Sequence, residues 1–177
     1  MAFCRLAVSL VLTMMVGSAG AREHAVLLPA SSEHQPIVHH LGFSLEYSET
    51  HEQAAWVAYV VDGDRLRGTI PRTDNFRTDL AISSGSSSPA DFRRSGFERG
   101  HLAPAALMKW SRTAMSESFL MSNMSPQRPA FNRGIWKKLE ALVRTWGSKE
   151  EMLHVVGGPV LSEGLATIGP NHVSVPD

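Results

Sequence analysis

Phe43, Leu45 and Tyr47 alternate with Ser44 and Glu46, the two-residue period of a half-buried strand. Ser48 to Glu52 is polar and turn-like. Ala54 to Val61 (AAWVAYVV) is a continuous apolar run rich in β-formers, and it stops at Asp62-Gly63. It reads as a central strand closed by a turn, and the two strands are predicted to pair as a hairpin. The period changes at Asn132 to Trp146, where Ile135, Leu139, Leu142, Val143 and Trp146 recur at helical spacing and predict a buried stripe. Gly147 ends that helix. Gly134 lies inside it at a cost of about 1 kcal/mol against alanine, which predicts close packing or a ligand at its first turn.

Shorter elements fill the rest. Pro89 to Ser95 reads as a short helix with Ser88 as N-cap and Gly96 ending it, and Ser111 to Ser118 as another with Ser111 as N-cap. Phe119 to Ser122 and Met152 to Val156 read as strands. Pro126 to Ala130 is a two-proline loop, and Gly157-Gly158-Pro159 is a turn leading through a loop to a last strand near Val173–Val175. Arg65 to Asp79 carries Arg65, Arg67, Arg72 and Arg77 with little periodicity. It predicts an irregular solvent-facing loop, either a plain solvated surface or part of a phosphate-binding rim. Ser83 to Ser88 reads as a flexible Ser/Gly loop. It holds no G-x-S-x-G elbow, which argues against a serine hydrolase. The sum is one α+β domain with a mainly antiparallel twisted sheet.

Composition narrows this picture. The chain has 177 residues, is 43% apolar and 19% charged, and carries zero formal net charge. That suits one domain with a real core and argues against disorder. A polyanion would have to be held by a local patch. Residues 1–21 read as a secretory signal: Arg5 as the positive region, Leu6 to Val16 as the apolar run, Ala19-Gly20-Ala21 as the cleavage site. The apolar run is too short to span a bilayer comfortably as an anchor. The expected product is secreted or periplasmic, with no membrane contact in its mature form. Cys4 falls inside the signal, so a chain cut after Ala21 would have no disulfide, thiol nucleophile or cysteine-based zinc site. Residues 22–41 show no clean period and read as an arm laid over the body. Adjacent His39 and His40 point to opposite sides of an extended chain and are poor chelators together.

The chemistry concentrates between Phe97 and Leu142. An imidazole titrating near neutrality can deprotonate water, although a lone histidine is more often structural. His101 follows Arg99-Gly100, and a planar guanidinium there suits a phosphate oxygen. On the predicted helix, Asn132, Trp136, Glu140 and Arg144 share one edge. This is either an ordinary polar flank or a hard-oxygen site, where an Asn carbonyl and waters would suit Mg²⁺.

Glu98-Arg99-Gly100-His101-Leu102-Ala103-Pro104-Ala105-Ala106, Met108-Lys109-Trp110-Ser111, Ser122-Asn123-Met124-Ser125-Pro126-Gln127 and Phe131-Asn132-Arg133-Gly134-Ile135-Trp136 together resemble the DNA/RNA non-specific endonuclease family. The resemblance covers residues 42–177 and includes Gly157-Gly158-Pro159-Val160-Leu161. It implies a ββα-metal finger, with His101 as the general base and Asn132 as the direct protein ligand of one Mg²⁺, or of Mn²⁺ in its place. Glu140 matches the carboxylate that orders water around the ion, Arg99 the arginine that steadies the phosphate, and Asn123 an Asn that supports the site. Arg144 matches a second phosphate-steadying arginine, while Arg93, Arg94, Arg133, Lys137 and Lys138 are either contacts to the nucleic-acid backbone or plain solvated surface charges. The implied substrates are DNA and RNA, and a homodimer is allowed. Three departures stand out. Glu98 replaces the usual Asp, Leu107 replaces a polar residue, and the chain stops at Asp177 where relatives continue. The last opens the alternative of a truncated, inactive nucleic-acid-binding protein.

Overall fold

The computed structural model describes residues 28–30 and 35–177. The predicted signal and residues 22–27 and 31–34 of the arm lie outside the described residues. The apolar run becomes β3 (Gln53–Asp62), the centre of a four-stranded antiparallel sheet. β2 (Ser44–Ser48) pairs with it as predicted, with Leu45 opposite Val57 and a bulge between Glu46 and Tyr47. β6 (Met152–Gly157) lies on its other side, with Tyr59 opposite Val155. The arm is more than a covering segment. Its Ile37–His39 stretch is β1, paired to β2 at the sheet edge. His39 Nδ1 meets Ser44 Oγ at 2.9 Å and His40 Nε2 meets Asp79 Oδ2 at 2.9 Å, so the two histidines serve different partners.

β2 is buried along its whole length, not half-buried. Glu46 is fully enclosed because Trp56 Nε1 (2.7 Å) and the Gln35 backbone N–H (3.3 Å) donate to its carboxylate. A paired carboxylate can be buried where a bare one cannot. Phe43, Leu45, Val57, Tyr59 and Val61 form the main core with Leu153, Val155, Met115 and Phe119. The Arg65–Asp79 loop joins them. Leu66, Ile70 and Phe76 pack on this core and Asp79 is buried, so the segment is not simply solvent-facing. Nor does the Ser83–Ser88 run hang free. Ser86 Oγ accepts the Asp79 N–H and the Ser87 N–H donates to Tyr47 Oη.

The second layer carries the motifs. β4 (Glu98–His101) pairs antiparallel with β5 (Met124–Gln127) as a two-stranded ribbon. The strand expected at Phe119–Ser122 is thus displaced. Leu120 makes only an isolated bridge to Arg77, and Met121–Asn123 is a tight helical turn. Asn123 explains the turn, because its amide bonds the Ala103 N–H and carbonyl and the Ser118 carbonyl. Pro126 is tolerated in β5 because a two-stranded ribbon leaves one side of each strand unpaired. The helix expected at Pro89–Ser95 is absent, and that stretch is a run of turns. Asp91 there accepts from Ser88 and Asn171, and Arg94 takes a left-handed φ of 57°. Helix α1 (Arg112–Glu117) forms as predicted, with Ser111 Oγ accepting the Ala114 N–H.

The long helix is broken into pieces. Pro129–Phe131 is a first turn (α2), Asn132–Trp136 is a wide π-type turn, and α3 is Lys137–Gly147. Gly134 departs from helical geometry (φ −98°, ψ −105°), and a Cβ there would meet nothing within 4 Å. Close packing at Gly134 is therefore not its reason. The widened turn shifts the helical phase, and Ile135 is 61% exposed. Only the Leu139–Val143–Gly147 row lies on the sheet, while Leu142 and Trp146 flank it in solvent. A Cβ on Gly147 would come within 2.2 Å of Val61 Cγ1, so the glycine lets α3 touch β3. The expected last strand is β8 (Val173–Ser174), paired with β7 (Thr167–Ile168) and held by Gln53 Nε2 on the Ser174 carbonyl at 2.6 Å. No helix among the described residues is long and apolar enough to cross a membrane.

Candidate active site

β4 delivers four consecutive residues with separate tasks. Gly100 gives room to Gln127, whose Cδ would lie 2.1 Å from a Cβ at that position. His101 is 8% exposed and stands edge-on to Phe119 at 5.0 Å and to Phe76 at 5.9 Å. The Trp136 indole N–H donates to the His101 carbonyl at 3.0 Å, tying strand to helix. Nε2 is enclosed and has no partner among the described residues. Burial pushes the imidazole down to about 3, helped by the Arg72 charge, which Asp74 opposes, and to a lesser degree by Arg99. The ring is therefore neutral across the physiological range.

Arg99 lies over the Phe76 ring at 4.1 Å and Arg72 over Phe119 at 4.7 Å. Both guanidiniums line a cleft of about 550 Å³ with Arg93, Glu98 and Asn132. Three aromatic rings, Phe76, Phe92 and Phe97, complete the wall. Arg72, Arg93 and Arg99 outnumber Glu98 in the lining, although Arg72 is also paired to Asp74 at 2.6 Å, so the cleft leans toward anions in a chain with no net charge.

Glu98 ties the cleft lining to the helical segment after β5. Its Oε2 accepts Asn132 Nδ2 at 2.9 Å and its Oε1 accepts the Arg133 guanidinium. The Arg133 bond, against slight burial and aided by Asn132, holds the Glu98 carboxyl below its usual range. With Nδ2 engaged, the Asn132 carbonyl oxygen is left for another partner. Glu140, half-buried on α3, behaves oppositely. Burial raises its carboxyl, while Arg144, Arg72, Trp136 and Lys137 hold it back. Among the described residues no three His, Cys, Asp or Glu side chains cluster as a metal cage. An ion here would rest on few protein oxygens, with water completing its shell, as Mg²⁺ prefers. Asn132 Oδ1 in the cleft wall fits that demand.

Of the predicted residues, Arg99 and Asn132 line the cleft directly. His101 sits behind Phe76, and Glu140 with Arg144 stands on α3. Asn123 is fully buried and shapes the backbone after His101. Arg133 is 76% exposed at its side chain and bonded to Glu98. Arg93 lines the cleft, and Arg94, Lys137 and Lys138 are exposed. Sequence reasoning placed Arg72 only in a basic loop and missed Phe76 and the Trp136 bond. Arg72 and Phe76 come from a segment without periodicity, so only the fold aims them.

A model of the DNA/RNA non-specific endonuclease family matches residues 26–177. Human mitochondrial endonuclease G is 36% identical over 146 residues, 76% of this chain and 49% of that protein. A nuclease of Nostoc sp. is 36% identical over 136 residues, 76% of this chain and 48% of its own length. The chain spans about half the length of these curated relatives. A chain in the crystal structure of the EndoG/EndoGI complex superposes with a TM-score of 0.73 at 29% identity, covering 80% of this chain and 64% of that one. β4, β5 and the helical segment after them form a ββα arrangement within a fold that matches EndoG. By motif, fold and family match, this chain belongs to the DNA/RNA non-specific endonuclease family.

Proposed function

We propose that the chain hydrolyses phosphodiester bonds of DNA and RNA without sequence specificity, as an exported Mg²⁺-dependent endonuclease. The observation that carries this is an enclosed imidazole beside an arginine-lined cleft, with the Asn132 amide held by Glu98 in its lining. Arg99 and Arg72 hold the oxygens of the scissile phosphate. His101, neutral and with an Nε2 unpartnered among the described residues, would take the proton from the attacking water. Asn132 would hold the ion through Oδ1, and Glu140 would orient water beside it. When bound, Mg²⁺ supplies positive charge that stabilises the crowded phosphoryl group and the leaving oxygen. Arginines that grip phosphate rather than base edges account for indifference to sequence and to sugar. Export rests on the charged, apolar and small-residue pattern of residues 1–21.

Plasmid nicking by the purified protein, with Mg²⁺ and with EDTA, tests this beside His101→Ala. EDTA should abolish cutting, and the substitution should lower it by about a hundredfold or more. Cutting that survives both would overturn the mechanism. A folded protein that binds DNA and never cuts would instead be a nuclease-fold binding protein.

A further inference from the structure

We infer that Phe97 is a stacking platform for the nucleobase next to the phosphate gripped by Arg99, a subsite that favours unpaired strands. This rests on the nuclease reading of the cleft. At about 550 Å³ the cleft has the size of a small-molecule site, far more than one phosphate group needs. Its aromatic rings are not equivalent. Phe92 is 6% exposed and committed to a small core with Met121 and Met124. Phe76 already carries Arg99 over its ring and meets His101 and Phe119 edge-on. Phe97 is half-buried on the cleft wall, and among the described residues its ring meets the looser approach of Arg128 at 5.5 Å.

Its backbone is fixed. The Phe97 N–H donates to Ser95 Oγ at 3.1 Å, and that hydroxyl donates to the Phe92 carbonyl at 2.9 Å. Phe97 and Arg99 are two residues apart where the chain enters β4, so they are separated by about 7 Å along it. That is the scale of one extended nucleotide, from phosphate to adjacent base. Arg93 and Arg128 add positive charge on either side. Every base has a π-face, so such a platform adds affinity without reading sequence. In a duplex that face is already stacked, so frayed or single-stranded segments engage it first.

The test is equilibrium binding in EDTA, by fluorescence anisotropy, of a short oligothymidylate and an abasic backbone of equal length. The protein should prefer the base-bearing strand by roughly fivefold to a hundredfold. Phe97→Leu should bring the two strands within about twofold while leaving abasic binding unchanged, and Phe97→Trp should restore the preference. Equal binding of both strands by the unsubstituted protein overturns the proposal. So does binding to neither, a preference that survives Phe97→Leu, or equal weakening of both strands. Because no cutting is needed, the outcome separates from the nuclease reading. A protein that nicks plasmid but shows no preference loses only the platform, and one that shows the preference but never nicks loses only the catalysis.

Discussion

The Asn132 amide can present its oxygen or its nitrogen to the cleft, and Glu98 decides between them. An acceptor-only carboxylate on Nδ2 leaves Oδ1 for a cation, and Arg133 keeps that carboxylate charged. Glu98→Ala should weaken Mn²⁺ binding about tenfold, read by electron paramagnetic resonance titration without any turnover. Unchanged affinity would show that Asn132 holds its orientation unaided. His101 makes a second prediction at this scale. Its imidazole, pushed down to about 3, should remain neutral in an NMR titration through the range where an ordinary histidine protonates near 6.5. A midpoint near 6.5 would show that solvent reaches the ring and that the cations beside it are screened.

Among the elements, the broken helix is the informative one. Its sequence supports a continuous apolar stripe, yet the widened turn at Asn132–Trp136 turns Ile135 out while Leu139 and Val143 stay on the sheet. Ile135→Lys should therefore change stability by no more than about 0.5 kcal/mol, whereas Leu139→Ala should cost on the order of 2 kcal/mol, both by denaturant unfolding. Equal costs would mean that the helix is continuous and Ile135 is buried. Gly147→Ala probes the other end. The added methyl has only the fully buried Val61 side chain to displace, and overpacking of this kind costs about 1–3 kcal/mol.

For the whole molecule, buried ionisable groups set the response to acid. The unfolded chain protonates His101 near 6.5, but the folded one does so only near 3. Between those values the unfolded state binds the extra proton, so stability is full above about 6.5 and falls as the pH drops. Burial disfavours the charged forms of Asp79 and Asp91, but hydrogen bonds to each carboxylate outweigh it and hold both below their usual range. Their contribution is present above the unfolded carboxylate range and disappears further down. Glu140 and Glu52, raised by burial, act in the opposite sense and temper the loss. The melting temperature should therefore fall between pH 7 and pH 5, and His101→Asn should lessen that fall, as scanning calorimetry would show. An identical fall in the substituted protein would assign it to other groups.

The hydrophobic pattern by itself determined β3, its hairpin with β2, strand β6 and the Ser111-capped helix, because local period and capping chemistry suffice for these. The family and the candidate residues His101, Arg99, Asn132 and Glu140 were legible too, since their motifs lie close together along the chain. Tertiary structure alone decided the rest. It paired the arm to the sheet as β1, and it moved a strand onto Met124–Gln127 because Asn123 bonds across to Ala103. It also widened the helix entry and brought Arg72 and Phe76 from an aperiodic loop to the imidazole. Each of these depends on contacts between residues distant in sequence, where a side chain's partner and not its local period fixes the backbone.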